Sequence, residues 1–348
     1  MPLKSTKCNA PWVARFINPT GRVTPCCYIV PTNIEKLKES FDNGIKSPAC
    51  GYCWLAEKNN VHSPRLDYNN LLGNTVTHLT INLGNYCNAE CIMCNGNTSS
   101  SRNSWARLHS PKEFKINVIP EANIDNFDFL EYPDLTTLTL LGGEPAIHPS
   151  TIKILNQLIE QDLAKNVNIS LNTNASKLDD ILIDRLRCFK SISVTLSIDG
   201  TGKYFEYQRR PLKWDQVKVI AEQWLEISES IVINYVVTAI SVWSFNDFIS
   251  WFVELPDSIH NKQPQISMNQ VWVMNHAYLT LAVLTDDQKQ QWLVEAIDHP
   301  AKQDIINILN SVTYNAAQCT IFKEKMKLED ITAKLKFAEI FPDWPLND

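Results

Sequence analysis

No uninterrupted apolar run of 18 residues occurs anywhere in the 348-residue chain, so no segment suits a membrane-spanning helix. No apolar stretch follows a basic start either, and the expectation is a cytoplasmic protein with neither signal peptide nor membrane partner. Long runs of lysine or arginine are also missing, and the formal net charge is −6. That balance disfavours a broad nucleic-acid surface, although a small basic pocket fits within it. Internal repeats and low-complexity linkers are absent too. With 44% hydrophobic residues, the chain is neither disordered nor fibrous and has material for one large α/β domain plus a smaller module.

Ten cysteines are present. In an exported chain they would suggest disulfides, but eight precede residue 95 and fall into two spaced groups, which is how metal ligands are distributed in a reducing compartment. Cys188 and Cys319 lie in helix-patterned stretches and read as buried or half-buried thiols. Cys87, Cys91 and Cys94 stand in NYCNAECIMCN, spaced C-x3-C-x2-C directly after the strand-like HLTINL. Three thiolates are one short of the four that a cubane iron–sulfur cluster or a closed zinc site takes. A cluster held by three leaves one iron open, whereas a zinc knuckle would find its fourth ligand elsewhere. About 50 residues on, the apolar run of LTLLGGEPAIHP breaks at Gly142 and Gly143, followed by Glu144 and Pro145.

The cysteine loop and the GGEP turn, in this order and at this distance, resemble the radical S-adenosylmethionine (SAM) superfamily. The resemblance implies a 4Fe–4S cluster whose open iron chelates the amino and carboxylate groups of SAM. One electron then breaks the sulfonium C–S bond, giving methionine and a 5′-deoxyadenosyl radical that abstracts a substrate hydrogen. Local chemistry agrees: thiolates suit iron, glycines let the backbone approach a ligand, and carbonyls with the Glu144 carboxylate accept from an ammonium group. On the same resemblance Met93 packs near the adenine, Asn172 and Asn174 in SLNTNA meet ribose or substrate, and Ser197 before SIDG reaches the SAM carboxylate or ribose. Arg209, favoured over Arg210 in YFEYQRRP, holds the carboxylate through a bidentate guanidinium. Asp199 with Gly200 reads equally as a turn or a ligand.

Six strand-like runs alternate with helix-patterned stretches, over 77–83, 135–141, 166–173, 191–199, 231–239 and 264–274. Helices are expected over 150–163, 178–189, 214–228 and 244–255, each with apolar residues at i, i+3, i+4 and i+7. The fold class is therefore α/β, a partial (β/α)6 barrel that gathers its chemistry at the C-terminal strand ends. Between the first two strands, SSSRNSWARLH reads as a helix and the remainder of 95–134 as a loop near the substrate. Asn234, Tyr235, Asn269, Trp272, Asn275 and His276 belong to the last two strand ends, with alternation sending about half inward. From 285 to 348 the tail reads as helices DDQKQQWLVEAI, AKQDIINILNSV and LEDITAKLKFAEIF packing on the barrel.

Ahead of the barrel, over residues 1–74, lie Cys8, Cys26, Cys27, Cys50 and Cys53. WVARFI and RVTP flank the turn sequence NPTG and read as a hairpin. Gly21, with four residues before Cys26, resembles the SPASM and twitch modules, which implies a second, auxiliary 4Fe–4S cluster on Cys8, Cys26, Cys50 and Cys53, with Cys27 outside. A four-cysteine zinc site is the alternative. In most relatives such a module follows the barrel, whereas here it precedes residues 75–284. The resemblance implies a peptide or peptide-derived substrate and an electron donor such as flavodoxin or ferredoxin. Alternatives are oxidation or rearrangement of a sugar or nucleoside, an RNA-modifying radical enzyme, which the acidic balance disfavours, and a non-catalytic iron–sulfur electron-transfer protein.

Overall fold

The computed structural model describes residues 6–29, 32–58, 62–116, 127–270 and 276–344. Its strands are β1 (Ala14–Ile17), β2 (Val23–Thr24), β3 (His78–Asn82), β4 (Thr137–Leu141), β5 (Asn168–Thr173), β6 (Ser191–Ser197), β7 (Ser230–Val237) and β8 (Gln265–Gln270). The six expected runs are β3 to β8, and the fold is α/β with a parallel sheet that is open rather than closed. Among the described residues no helix is long and apolar enough to cross a membrane.

Two compact units make up the chain. The first comprises Met1–Gly84, Ile119–Leu171 and Ile181–Ile192. In it β1 pairs antiparallel with β2 and parallel with β3, and β3, β4 and β5 continue in parallel. The expected hairpin forms because Asn18 Oδ1 accepts from Thr20 N, Thr20 Oγ1 and Arg22 N at 2.7–3.0 Å, while Gly21 takes φ 79°. The second unit, Asn85–Val118, Asn172–Asp180 and Ser193–Asp348, orders β6-β7-β8 in parallel.

Strands β3 to β7 alternate strictly between buried and more exposed positions. Leu79 and Ile81, Leu138 and Leu140, and Ile169 and Leu171 are buried, as are Val194 and Leu196, and Ile231 and Ile233. Each such residue contributes roughly 1.5–3 kcal/mol on burial. The other face is polar and half-buried: Thr80 aligns with Thr139 and Thr139 with Ser170 in the first unit, and Ser197 with Asn234 and Asn234 with Ser267 in the second. Polar rows of this kind are costly in a sealed core and suit a surface that meets a polar ligand.

Helices fall at Ser100–His109, Pro149–Glu160, Asp180–Leu186, Trp214–Ile227 and Phe245–Val253, as the spacing predicts. Pro149 opens the second of these, and His148 Nδ1 accepts from Ser150 N at 3.1 Å as its cap. The tail corrects one expectation. Asp286–Glu295 and Ala301–Ser311 are helical, but the third helix is Ala316–Glu329, and LEDITAKLKFAEIF carries only the short Phe337–Ile340 beyond it. Asp330 is the cause: its carboxylate accepts from Phe337 N at 3.0 Å and from Tyr207 Oη at 2.9 Å, turning the chain instead of extending the helix. Cys188 is a second correction, because it is exposed at a helix end, whereas Cys319 is buried as expected.

Candidate functional site

The triad loop follows β3 and is gripped from two sides. On one side is the first turn of the helix Ser100–His109. Ser99 Oγ donates to Ala89 O at 2.6 Å and accepts from Arg102 N at 3.0 Å, so the helix cap is also a loop anchor. Ser100 Oγ accepts from Cys87 N at 3.0 Å, and Ser101 Oγ donates to Cys87 O at 2.7 Å. On the other side Glu90 N donates to Arg210 O at 2.7 Å and Ile92 N to Gln208 O at 2.9 Å. Cys91 lies between those two bonds.

Arg209 occupies the matching position on its own segment. Its Nη1 is 3.7 Å from Cys91 Sγ, while Nε and Nη2 lie 2.7 and 2.6 Å from Asp199 Oδ2. Asp199 is fully buried and also accepts from Val236 N at 2.8 Å. Burial pushes its carboxyl up, and Arg209 with the Val236 amide pulls it back. Cys91 and Cys94 hydrogen-bond to one another, which pushes Cys91 up and Cys94 down, and the Arg209 charge favours thiolate at both. Ala89 N points at Cys87 Sγ from 3.5 Å. A loop presenting three sulfurs, with N–H donors aimed at two of them, fits a thiolate-bound cluster. Among the described residues no three His, Cys, Asp or Glu side chains are close enough to hold a single metal ion.

Of the other expected residues, Asn174 joins this loop: its Nδ2 donates to Asn88 Oδ1 at 3.1 Å, and Asn88 Nδ2 donates to Ser176 Oγ at 2.9 Å. Met93 is half-buried on the loop, Asn172 is exposed at the end of β5, and Ser197 is half-buried in register with Asn234. Asn269 Nδ2 donates to that Asn234 Oδ1 at 2.6 Å. Tyr235 points the opposite way, buried against Phe248 with its hydroxyl on Ser241 O. His276 is buried, with Nδ1 3.5 Å from Tyr278 Oη. Trp272 and Asn275 lie outside the described residues, as does part of the expected loop in 95–134.

In the first unit the GGEP turn departs from β4. Gly142 has φ 147°, and a Cβ there would stand 2.9 Å from Gly84 O, so only glycine fits. Gly143 N donates to that same oxygen at 2.8 Å. Glu144 is 1% exposed and its Oε1 accepts from Ala146 N at 3.0 Å, capping the turn Pro145–Ile147.

Also in the first unit, Cys8, Cys26, Cys50 and Cys53 line one cavity with Tyr28, Ile29, Pro64, Arg65 and Tyr68. Cys27 is not among the lining residues and is exposed. Burial pushes the Cys8 thiol up to about 11 and those of Cys26 and Cys50 to about 12, while Arg65 works against this at Cys8 and Cys50. Arg65 is itself fixed by Glu57, with Nε to Oε1 2.8 Å and Nη2 to Oε2 2.6 Å, and by Lys7 O at 2.6 Å. Four cysteines, two buried and two half-buried, line one space with a fixed cation alongside, a donor set whose chemistry suits a thiolate-bound metal group.

Two buried carboxylates beside the triad loop have contacts that sequence reading did not give. Asp199 with Gly200 reads equally as a turn or a ligand, and what the sequence does not give is its pairing with Arg209, ten residues on. Glu329 was hidden in the tail, where its signal is a charged residue on the otherwise apolar stripe Cys319, Phe322 and Met326.

Residues 81–250 match the family model of the Radical SAM superfamily. No curated protein matches the chain. Solved structures resembling it include native anSMEcpe with bound AdoMet, 18% identical over 56% of this chain and 52% of that one, with a TM-score of 0.43. Streptococcus suis SuiB is 18% identical over 69% and 49%, with a TM-score of 0.36. SuiB bound to precursor peptide SuiA is 16% identical over 90% and 61%, with a TM-score of 0.38. The chain spans about half the length of the first two.

Proposed function

We infer the reaction from one premise: through residues 81–250 the chain belongs to the radical SAM superfamily, and it is an enzyme of that class. The proposed reaction is reductive cleavage of SAM followed by hydrogen abstraction from a substrate. When bound at Cys87, Cys91 and Cys94, a 4Fe–4S cluster supplies the electron that splits SAM into methionine and the 5′-deoxyadenosyl radical.

The observation that carries this reading is the pairing of residues 208–210 with 90–92, which sets the Arg209 guanidinium against Cys91 Sγ. Among the described residues, one N–H on each terminal nitrogen of Arg209 is left over after Asp199 and Cys91 are served. Those donors support Arg209, rather than Arg210, as the residue that meets the SAM carboxylate. The turn at Gly142, Gly143 and Glu144 supports a backbone-lined site for the methionine ammonium. Met93, Asn172 and Ser197 complete the proposed SAM contacts. The polar rows through Ser197, Asn234 and Ser267 support orientation of a polar substrate.

The substrate proposed is a peptide or peptide-derived molecule, following the SPASM and twitch resemblance of residues 1–74. Convergence of Cys8, Cys26, Cys50 and Cys53 on one cavity supports an auxiliary 4Fe–4S cluster there, with Cys27 outside. A flavodoxin or ferredoxin is the proposed electron donor, and residues 75–284 and 285–348 the proposed barrel and helical tail.

Anaerobic reconstitution tests both metal sites. If each holds a four-iron cluster, the wild type should bind about eight irons per chain and the combined Cys87→Ala, Cys91→Ala, Cys94→Ala variant about four. Zinc retained at the N-terminal group would dispose of the auxiliary cluster, and an unchanged iron content in the triple variant would remove the triad from the reading.

A further inference from the structure

Glu329 lies beyond the segment that matches the family model, at the C-terminal end of the helix Ala316–Glu329. It is 1% exposed. Both carboxylate oxygens take the Arg102 guanidinium, Nη1 to Oε2 at 3.0 Å and Nη2 to Oε1 at 2.7 Å. Arg210 Nη2 shares Oε2, and Arg210 Nη1 donates to Glu329 O at 2.8 Å. Arg102 and Arg210 are 1% and 6% exposed, so the Glu329 carboxylate bridges two buried guanidiniums that would otherwise repel each other, with Glu113 Oε2 3.6 Å from Arg102 Nη2 and Glu90 Oε1 3.7 Å from Arg210 Nε as the further counter-charges.

These two arginines belong to the two elements that grip the triad loop. Arg102 sits in the first turn of the helix whose serines hold Cys87 and Ala89. Arg210 offers its carbonyl to Glu90 N, two residues after Gln208 offers its own to Ile92 N. For each arginine Glu329 is the nearer of two carboxylates, and Arg210 also takes its direction from Glu329 O.

We infer that Glu329 is a positioning residue for the cysteine triad, tying both walls of its loop to one buried carboxylate. This rests on the reading of the triad as the metal site only for its functional consequence. Glu329 contacts no cysteine in the described structure, and it acts through Arg102 and Arg210. The tail is on this account part of the cradle for the loop rather than packing alone.

Hydrogen exchange at the Glu90 and Ile92 amides tests this in the full-length chain, both reconstituted and metal-free. Glu329→Gln keeps the shape but removes the charge. It should speed exchange at these two amides about tenfold or more while leaving β7 amides such as Ile233 at the wild-type rate. Arg210→Lys keeps the charge but not the fork, and should loosen the same amides less, which covers the case of a poorly folding Glu329→Gln. Unchanged exchange at Glu90 and Ile92, or a rise spread evenly over residues 193–270, would overturn the inference. Iron content of the wild type reports separately on the reading of the triad, because amide exchange in the metal-free chain does not depend on it.

Discussion

Cys91 and Arg209 stand 3.7 Å apart across 118 positions of sequence. The spacing of the cysteines and the arginine after SIDG made both residues legible, but the pair itself was not, because a contact that long depends on how Gln208 and Arg210 dock on the loop. Asp199 illustrates the same limit: Asp-Gly suits a turn, and only burial with Arg209 gives the carboxylate a partner. Gly142 was legible for the opposite reason, since its requirement is local. Gly142→Ala should cost about 1–3 kcal/mol through the strained backbone at φ 147° and the 2.9 Å approach to Gly84 O. Chemical denaturation of the metal-free protein measures this, and a midpoint equal to wild type would show that the turn tolerates a side chain.

At the level of elements, all six expected strands and the crossover helices appear, because each carries its own apolar period and its own start and stop residues. The tail was harder. Its third helix begins after Asn315, whose Oδ1 accepts from Gln318 N at 3.1 Å, and ends where Asp330 turns its carboxylate to Tyr207 and Phe337. Neither partner of Asp330 is a neighbour in sequence, so the shift of that helix was invisible in the pattern. The helix Ser100–His109, in contrast, was expected, and its cap does two jobs. Ser99→Ala removes the bond to Arg102 N and the bond to Ala89 O, and should cost about 1–2 kcal/mol. It should also speed iron loss from the triad relative to the N-terminal group, as followed by chelator release. Equal loss from both groups would show that Ser99 serves only the helix.

Over the whole molecule, the order of the two cysteine groups, the parallel sheet and the strand-end position of the motifs were legible in sequence. The N-terminal hairpin was legible as a hairpin, but the parallel pairing of β1 with β3 was not, since no local pattern records which strand a sheet edge accepts. The register that aligns Ser197, Asn234 and Ser267 was not legible either, because it depends on how neighbouring strands pair. The central claim is that Cys87, Cys91 and Cys94 support reductive cleavage of SAM. Incubating the reconstituted, dithionite-reduced chain with SAM and quantifying 5′-deoxyadenosine tests it most directly. The account predicts 5′-deoxyadenosine from the wild type and none above background from the Cys87→Ala, Cys91→Ala, Cys94→Ala variant. A wild type with an intact, reduced four-iron cluster on the triad that forms no 5′-deoxyadenosine, with or without candidate peptides, would contradict it.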